Sequence, residues 1–331
     1  MCIRDRSYTH WRETGMVEAF KGLAQDVLAM NLDDILCVGA KPISFVDYIA
    51  LNSFRLPREE VLKSISQGFK EALEALRREE VTLSFSGGET ADLPDQVGTL
   101  DISATIYGSV DLEEVIDGSR IKEGDLILGL RSGGRCRYEE GWNSGIMCNG
   151  ITLARHCLLR REYQERYPEI SHPRGKGYYG RYAIDDYLEE LGMTVGEAIL
   201  SPTRIYTPIL VKLIEKFGGS ISALIHNTGS GQTKCLRVGR NIHYIKDDLL
   251  EPDPIFPLIQ REAGESWRAM YTIYNMGVGF EVIIDREVAE EALDVVESYG
   301  VEAKIIGRCE EGRGRNTLTI KTPHGTFHYT L

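Results

Sequence analysis

The chain has 331 residues, roughly two domains at about 150 residues each, and its 42 % hydrophobic and 27 % charged content excludes a disordered chain. Lys and Arg total 38 against 50 Asp and Glu, a net charge of −12, which argues against a nucleic-acid partner held along its phosphates. No window approaches the ~18 uninterrupted apolar residues of a membrane span, no signal-peptide core opens the chain, and seven scattered cysteines without a CxxC pair indicate reduced thiols in a cytoplasmic protein.

The first six residues, "MCIRDR", read as translated sequencing-adaptor read-through, so Ser7 is taken as the first native residue and upstream sequence is expected to be missing. From about Trp11 to Val38 the apolar spacing predicts one helical region, closed by Gly39 and Pro42. Residues 43–51, rich in β-branched and aromatic types, predict a strand. Residues 57–80 form an amphipathic helix pattern, with Val61, Leu62, Ile65, Phe69, Leu73 and Leu76 on one face. Strands are expected at 81–86, running into a Gly87-Gly88 turn, at 99–110 and at 125–134. Composition shifts over 131–148, the expected domain boundary, which gives an N-terminal domain of 7–134 and a C-terminal domain of 145–331. A helix over 150–167, a loop-like surface insertion over 168–187, a helix at 206–217 and a strand at 220–226 follow. A Gly turn at 229–231, a helix near 232–240, a Pro-punctuated stretch at 251–270, a strand at 278–284, a helix at 286–299 and final strands from Ala303 complete the chain.

Five constellations could carry chemistry. In "AQDVLAMNLDD" (24–34), i, i+7 and i+8 spacing places Asp26 on one helix face with Asp33 and Asp34. Acids among apolar neighbours suit Mg²⁺ with phosphate oxygens, and they suit a solvated acidic face equally well. In "SFSGGETADLP" (84–94), Gly87 and Gly88 would let backbone N–H groups approach a phosphate, with Glu89 facing a metal and Thr90 an oxygen. Strand–Gly–Gly turns are common, and the motif alone does not choose. "LSPTRIYTP" (200–208) offers Thr203 and the planar guanidinium of Arg204 after Pro202, or only a helix cap with a surface arginine. "LIHNTGSGQTK" (224–234) has the strand–Gly loop–helix form of an anion site, with His226, Thr228, Gly229, Gly231 and Lys234. His226 is equally readable as a core histidine. Gly277 and Gly279 in "MYTIYNMGVGFEV" fit close backbone packing.

Taken in order, "AMNLDDILCVGAKPISFVDY", "SGGETAD", "VIDGSRIKEGDLILGLRSGG", "NGITLAR", "SPTRIY", "HNTGSG" and "MYTIYNMGVGF" resemble the phosphoribosylformylglycinamidine cyclo-ligases, or AIR synthases, in a Bacteroides-type version, from about Ser7 to Arg308. The resemblance implies an α/β (α+β) PurM-like two-domain fold, its N-terminal sheet joining a partner's into a barrel across a homodimer. It implies ATP-dependent, Mg²⁺-assisted ring closure of formylglycinamidine ribonucleotide to aminoimidazole ribonucleotide, with ADP and phosphate released. Matched residue by residue, Asp26, Asp34 and Glu89 are expected at the metal and nucleotide, with Gly87, Gly88, Thr90, Thr203, Thr228 and Gly229 also binding nucleotide. Asp47 matches a further acid after its strand. Asn149, Arg204 and His226 are expected at the substrate, Arg204 on its phosphate and His226 polarising the formyl region.

The chain departs from the pattern at several points. Met147 replaces a histidine, Asp33 an asparagine, and "HNTGSG" stands for "HLTGGG". The family's N-terminal "DGxGTK" segment is expected upstream of Ser7, which leaves activity of the chain as given open. The competing expectations are another ATP-using enzyme of the superfamily, such as a thiamine-monophosphate kinase, selenophosphate synthetase, hydrogenase-maturation protein or amidotransferase, and a non-catalytic nucleotide-binding protein on the same fold.

Overall fold

Gly15 stops the first helix. Its φ of 74° lies in the left-handed region where glycine ends helices at little cost. The single helical region expected over 11–38 is therefore two helices, α1 (Ile3–Thr14) and α2 (Gly22–Leu36), separated by a 3-10 turn over Val17–Phe20. This computed structural model describes residues 3–170 and 177–331. Residues 1 and 2 of the expected read-through segment, and 171–176 of the expected surface insertion, lie outside the described residues.

β1 (Lys41–Leu51), α3 (Arg58–Arg78) and β2 (Ser84–Asp92) make a βαβ unit with β1 and β2 parallel, and β3 (Leu100–Ser109) adds antiparallel on the other side of β1. The three strands form a sheet ordered β2-β1-β3. Phe45, Ile49 and Ile102 face a core shared with Val27 of α2 and Ile65 and Phe69 of α3. α2 and α3 approach closely at Gly68, where a Cβ would collide with the Lys21 carbonyl oxygen. Gly68→Ala is therefore expected to lower the melting temperature through a backbone shift costing about 1–3 kcal/mol, measurable by a circular-dichroism melt. The strand expected at 81–86 begins later and runs through Gly87-Gly88 into Asp92, so the glycine pair is extended strand and not a turn. Gly88 is paired with Asp47, and a Cβ on Gly88 would collide with the Asp47 carboxylate. Glycine is needed here for close strand approach.

The rest of the chain runs β4 (Leu126–Arg131), α4 (Ile151–Leu158), α5 (Glu162–Arg166), β5 (Tyr187–Leu188), β6 (Met193–Thr194), α6 (Val195–Leu200), α7 (Thr207–Phe217) and β7 (Ile221–His226). It continues through β8 (Ile242–Lys246), α8 (Ile255–Ala263), α9 (Trp267–Ile273), β9 (Val278–Ile284), α10 (Ala289–Glu297), β10 (Ala303–Glu311), β11 (Thr317–Thr322) and β12 (Gly325–Thr330). The helix expected over 150–167 is broken between α4 and α5, and the helix expected near 232–240 is a 3-10 turn over Gly231–Arg237.

A seven-stranded sheet, ordered β12-β11-β8-β10-β4-β9-β7, forms the second layer system. β11 and β8 run parallel; the other neighbours are antiparallel. Leu210 and Leu213 of α7 and Ala292 and Val296 of α10 bury one face of it with Leu128, Phe280 and Val282. Residues of α4, α8 and α9 join the core on the other side. Because β4 lies between β10 and β9, sheet membership changes between β3 and β4. The boundary expected at 131–148 followed composition; the strand expected at 125–134 is present, and its partners lie more than 140 residues away in the second sheet.

Candidate functional site

α2 carries its three aspartates to two different places. Asp26 and Asp33, seven residues apart, both point inward and both grip the segment that leads into α7. Asp26 accepts from the Thr203 amide at 2.8 Å and from the Thr203 hydroxyl at 2.9 Å, and it is ion-paired with the buried Arg6. Asp33 accepts from the Tyr206 amide at 3.0 Å and from the Thr207 hydroxyl at 2.8 Å. Burial pushes the Asp33 carboxyl up to about 6, against the pull of His226 and of these two bonds. The two carboxylates lock the N-terminal helix to the second half of the chain. Thr203, expected at a nucleotide, is buried within that lock.

Asp34, one residue further round the helix, leaves this face. Its Oδ1 lies 3.0 Å from Nδ1 of His226 at the end of β7. A carboxylate only accepts, so Nδ1 carries the donated hydrogen. The imidazole is stacked on Phe280 at 5.7 Å and edge-on to Tyr206 at 6.5 Å, and Nε2 is buried without a hydrogen-bond partner. The His226 side chain is 0 % exposed and that of Asp34 52 %. His226, expected at the substrate, is thus fully buried behind the exposed carboxylate of Asp34.

The loop after β7 adds polar groups beside this pair. Thr228 accepts from Lys234 at 2.6 Å, and Gly231 turns the chain with φ 48°. A Cβ on exposed Gly229 would lie 3.8 Å from Asn149 Oδ1, at the entrance to α4. Asp34, His226, Thr228, Gly229 and Asn149 therefore gather from three parts of the sequence. Lys234, at the helix start of the strand–Gly loop–helix pattern, is joined to this group through Thr228. Phe280, which fixes the histidine ring, had no signal in the sequence. Cys37 packs near the same helix end, where burial pushes its thiol up to about 12 and makes it inert near neutral pH.

Arg204 is not available to a phosphate in this conformation. Its guanidinium, 1 % exposed, holds Glu139 through Nε at 2.9 Å and Nη2 at 2.7 Å, and donates through Nη1 to the carbonyls of Arg131 and Gly133, each at 2.9 Å. Met147, the family-histidine position, is buried in the core beside Gly279. Gly87, Gly88, Glu89 and Thr90 lie on the edge strand β2. Glu89 is exposed, and Asp47 is half-buried with its carboxyl pushed up by burial. Among the described residues no hydrogen bond or ion pair joins β2 to the Asp34–His226 pair. No group of three or more His, Cys, Asp or Glu among them stands close enough to hold one metal ion. The three carboxylates expected at a metal therefore do not converge. A cavity of about 790 Å³ opens elsewhere, beside Lys21, Gln25, Glu71, Arg77, Glu139 and Trp142, and none of the expected site residues lines it.

Residues 7–110 match the family described as AIR synthase related protein, N-terminal domain, and residues 122–319 match its C-terminal domain. A phosphoribosylformylglycinamidine cyclo-ligase from Methanocaldococcus jannaschii is 34 % identical over 293 residues, which span 88 % of this chain and 73 % of that one. One from Carboxydothermus hydrogenoformans is 33 % identical over 88 % of this chain and 74 % of its own. Among solved structures, a thiamine-monophosphate kinase from Stenotrophomonas maltophilia aligns over 92 % of this chain and 79 % of its own, with TM-score 0.58 and 17 % identity. The hydrogenase maturation protein HypE in complex with ATP aligns over 93 % of this chain and 79 % of its own, with TM-score 0.57 and 17 % identity. At that identity these structures show a shared fold.

Proposed function

The chain belongs to the AIR synthase related family, and from that premise we propose that it closes the imidazole ring of aminoimidazole ribonucleotide from formylglycinamidine ribonucleotide, using ATP and releasing ADP and phosphate. The observation that carries the reading is the extended match to cyclo-ligases, 34 % identical over 88 % of the chain. The chemistry needs activation, because an amide oxygen is a poor leaving group. ATP supplies a phosphoryl group to that oxygen, the amidine-side nitrogen attacks the activated carbon, and phosphate departs. What is left for the protein is to position the reactants and stabilise charge.

In this reading Asp34 does part of that work. It is the exposed half of a hydrogen-bonded pair, held from behind by His226. Lys234 and Thr228, joined to each other on the neighbouring loop, suit phosphoryl oxygens, and Asn149 suits the amide end of the substrate. Mg²⁺ commonly takes only one or two carboxylates beside phosphate oxygens, so a magnesium carried in with ATP fits exposed Asp34. Asp26 does not fit, since Arg6, Thr203 and Cys148 occupy its oxygens. Bound magnesium would supply charge neutralisation on the phosphates. A second copy of the chain fits the outer face of the three-stranded sheet, where Ile43, Val46, Tyr48 and Tyr107 are exposed together on a surface that polar residues usually cover. A barrel across a homodimer would bury them. No described helix is long and apolar enough to cross a membrane, and with the described cysteines free a cytoplasmic setting suits the reaction.

The test is substrate-dependent ADP release in the presence of Mg²⁺. Release that requires formylglycinamidine ribonucleotide is the expected result. ATP binding without turnover would favour a non-catalytic nucleotide-binding protein. Turnover of thiamine monophosphate instead would move the assignment to another branch of the fold.

A further inference from the structure

The root of the loop that follows His226 is held from both faces of the sheet. β7 and β9 pair His226 with Phe280, and those two rings stack on one face. The next residue along each strand, Asn227 and Glu281, turns to the opposite face and enters a buried polar cluster. Asn227 donates from Nδ2 to Glu281 Oε1 at 2.7 Å and to the Val278 carbonyl at 3.0 Å. Lys246, at the end of β8, donates to the same Oε1 at 2.5 Å. It also donates to the backbone oxygen of Gln232 at 2.7 Å and to Gln232 Oε1 at 3.1 Å. Gln232 in turn donates to the Asn275 carbonyl at 2.5 Å. Asn227, Gln232, Lys246 and Glu281 are all essentially inaccessible.

Such a cluster is a poor way to gain stability. Two buried ions lose hydration that well-packed apolar side chains would never have to give up. Among the described residues Asn227 Oδ1 and Glu281 Oε2 also find no partner, which adds to the cost. What the cluster does achieve is geometric. Its bonds seize the loop at its first residue, Asn227, and again at Gln232, and half-buried Thr228 and exposed Gly229 lie between these two anchors. Asn227 is also, with Ser230, one of the two residues at which "HNTGSG" departs from the "HLTGGG" of the resembled family, and its side chain faces this ion pair, away from the Asp34–His226 pair.

We propose that Lys246 and Glu281 are positioning residues: the buried pair clamps both ends of the 227–232 loop, and so sets the orientation of His226 and, through it, of the Asp34 carboxylate. This rests on the reading of Asp34 as the exposed carboxylate of a cyclo-ligase site. The experiment combines kinetics of Glu281→Gln with the imidazole nitrogen signals of His226, assigned by comparison with His226→Gln in histidine-labelled full chain. The expected result is a folded variant in which the His226 signals shift or broaden. Its kcat per folded molecule, with the folded fraction counted by circular dichroism, should fall about 10-fold or more while KM for ATP moves less than about 3-fold. If Glu281→Gln does not fold, the double variant Lys246→Met with Glu281→Met removes both charges and leaves no unpaired ion, and it is read in the same way. His226 signals that superpose on the wild type in either folded variant overturn the proposal. The nitrogen signals need no turnover, so a chain that fails to close the ring still tests the clamp.

Discussion

Asp34→Asn is expected to lower turnover by about 10²–10³-fold, the range for removing one preorganised charged or hydrogen-bonding group from a reaction centre, with little change in melting temperature. The two halves of that expectation have separate causes. Asp34 is half exposed, and substitutions at such positions usually stay within about 0.5 kcal/mol. Asparagine keeps the oxygen that accepts from His226 but loses the charge that would face a metal–phosphate group. His226→Gln should behave differently. It empties part of a stacked, fully buried site against Phe280 and Tyr206, so both stability and turnover should fall. Because His226 acts through Asp34, the double variant should be little slower than Asp34→Asn alone, a non-additivity expected of directly bonded partners. ADP release and a thermal melt on the four proteins check this. An Asp34→Asn enzyme that keeps half its activity, or a double variant that multiplies the two losses, would remove Asp34 from the centre.

The local elements were legible where local rules decide them. α3 showed its apolar stripe, and β1 and β3 their alternation, because each has one buried face. The helices α8 and α9 were hidden inside a stretch read as Pro-punctuated. Pro254 stands at the N-cap of α8 and Pro257 in its first turn, positions where a missing N–H costs nothing, so here proline starts a helix. The glycine pair at 87–88 looked like a phosphate turn, yet its role is to let β2 approach Asp47. β4 was legible as a strand but its sheet was not, because strand partners more than 140 residues away leave no local trace. At the site, helical spacing correctly joined Asp26 to Asp33. It could not show that the rotation of one residue to Asp34 leads from a buried lock to the exposed partner of His226. Nor could composition show that Arg204, a typical phosphate ligand by type, is enclosed by carbonyls and Glu139.

Arg204→Met should therefore act on stability before it acts on binding. The substitution strands Glu139, whose side chain is only 10 % exposed, and frees the carbonyls of Arg131 and Gly133 in the segment that joins β4 to the rest of its domain. Breaking a buried pair from one side costs about 3–5 kcal/mol, which at about 2–4 °C per kcal/mol lowers the melting temperature by on the order of 10 °C. Arg204→Lys keeps the charge but cannot span both Glu139 oxygens and both carbonyls at once, so it should recover only part of the loss. Glu139→Gln in the Arg204→Met background should recover more, because it removes the stranded charge. KM for the phosphorylated substrate, measured well below the lowered melting point, should change less than about 3-fold. A rise of about 100-fold in KM with an unchanged melt would instead mean that Arg204 leaves Glu139 during the reaction and binds substrate phosphate. The bidentate geometry in hand opposes that outcome, since releasing the guanidinium would leave a buried carboxylate and two buried carbonyls without donors, and a single phosphate contact would have to outweigh all three.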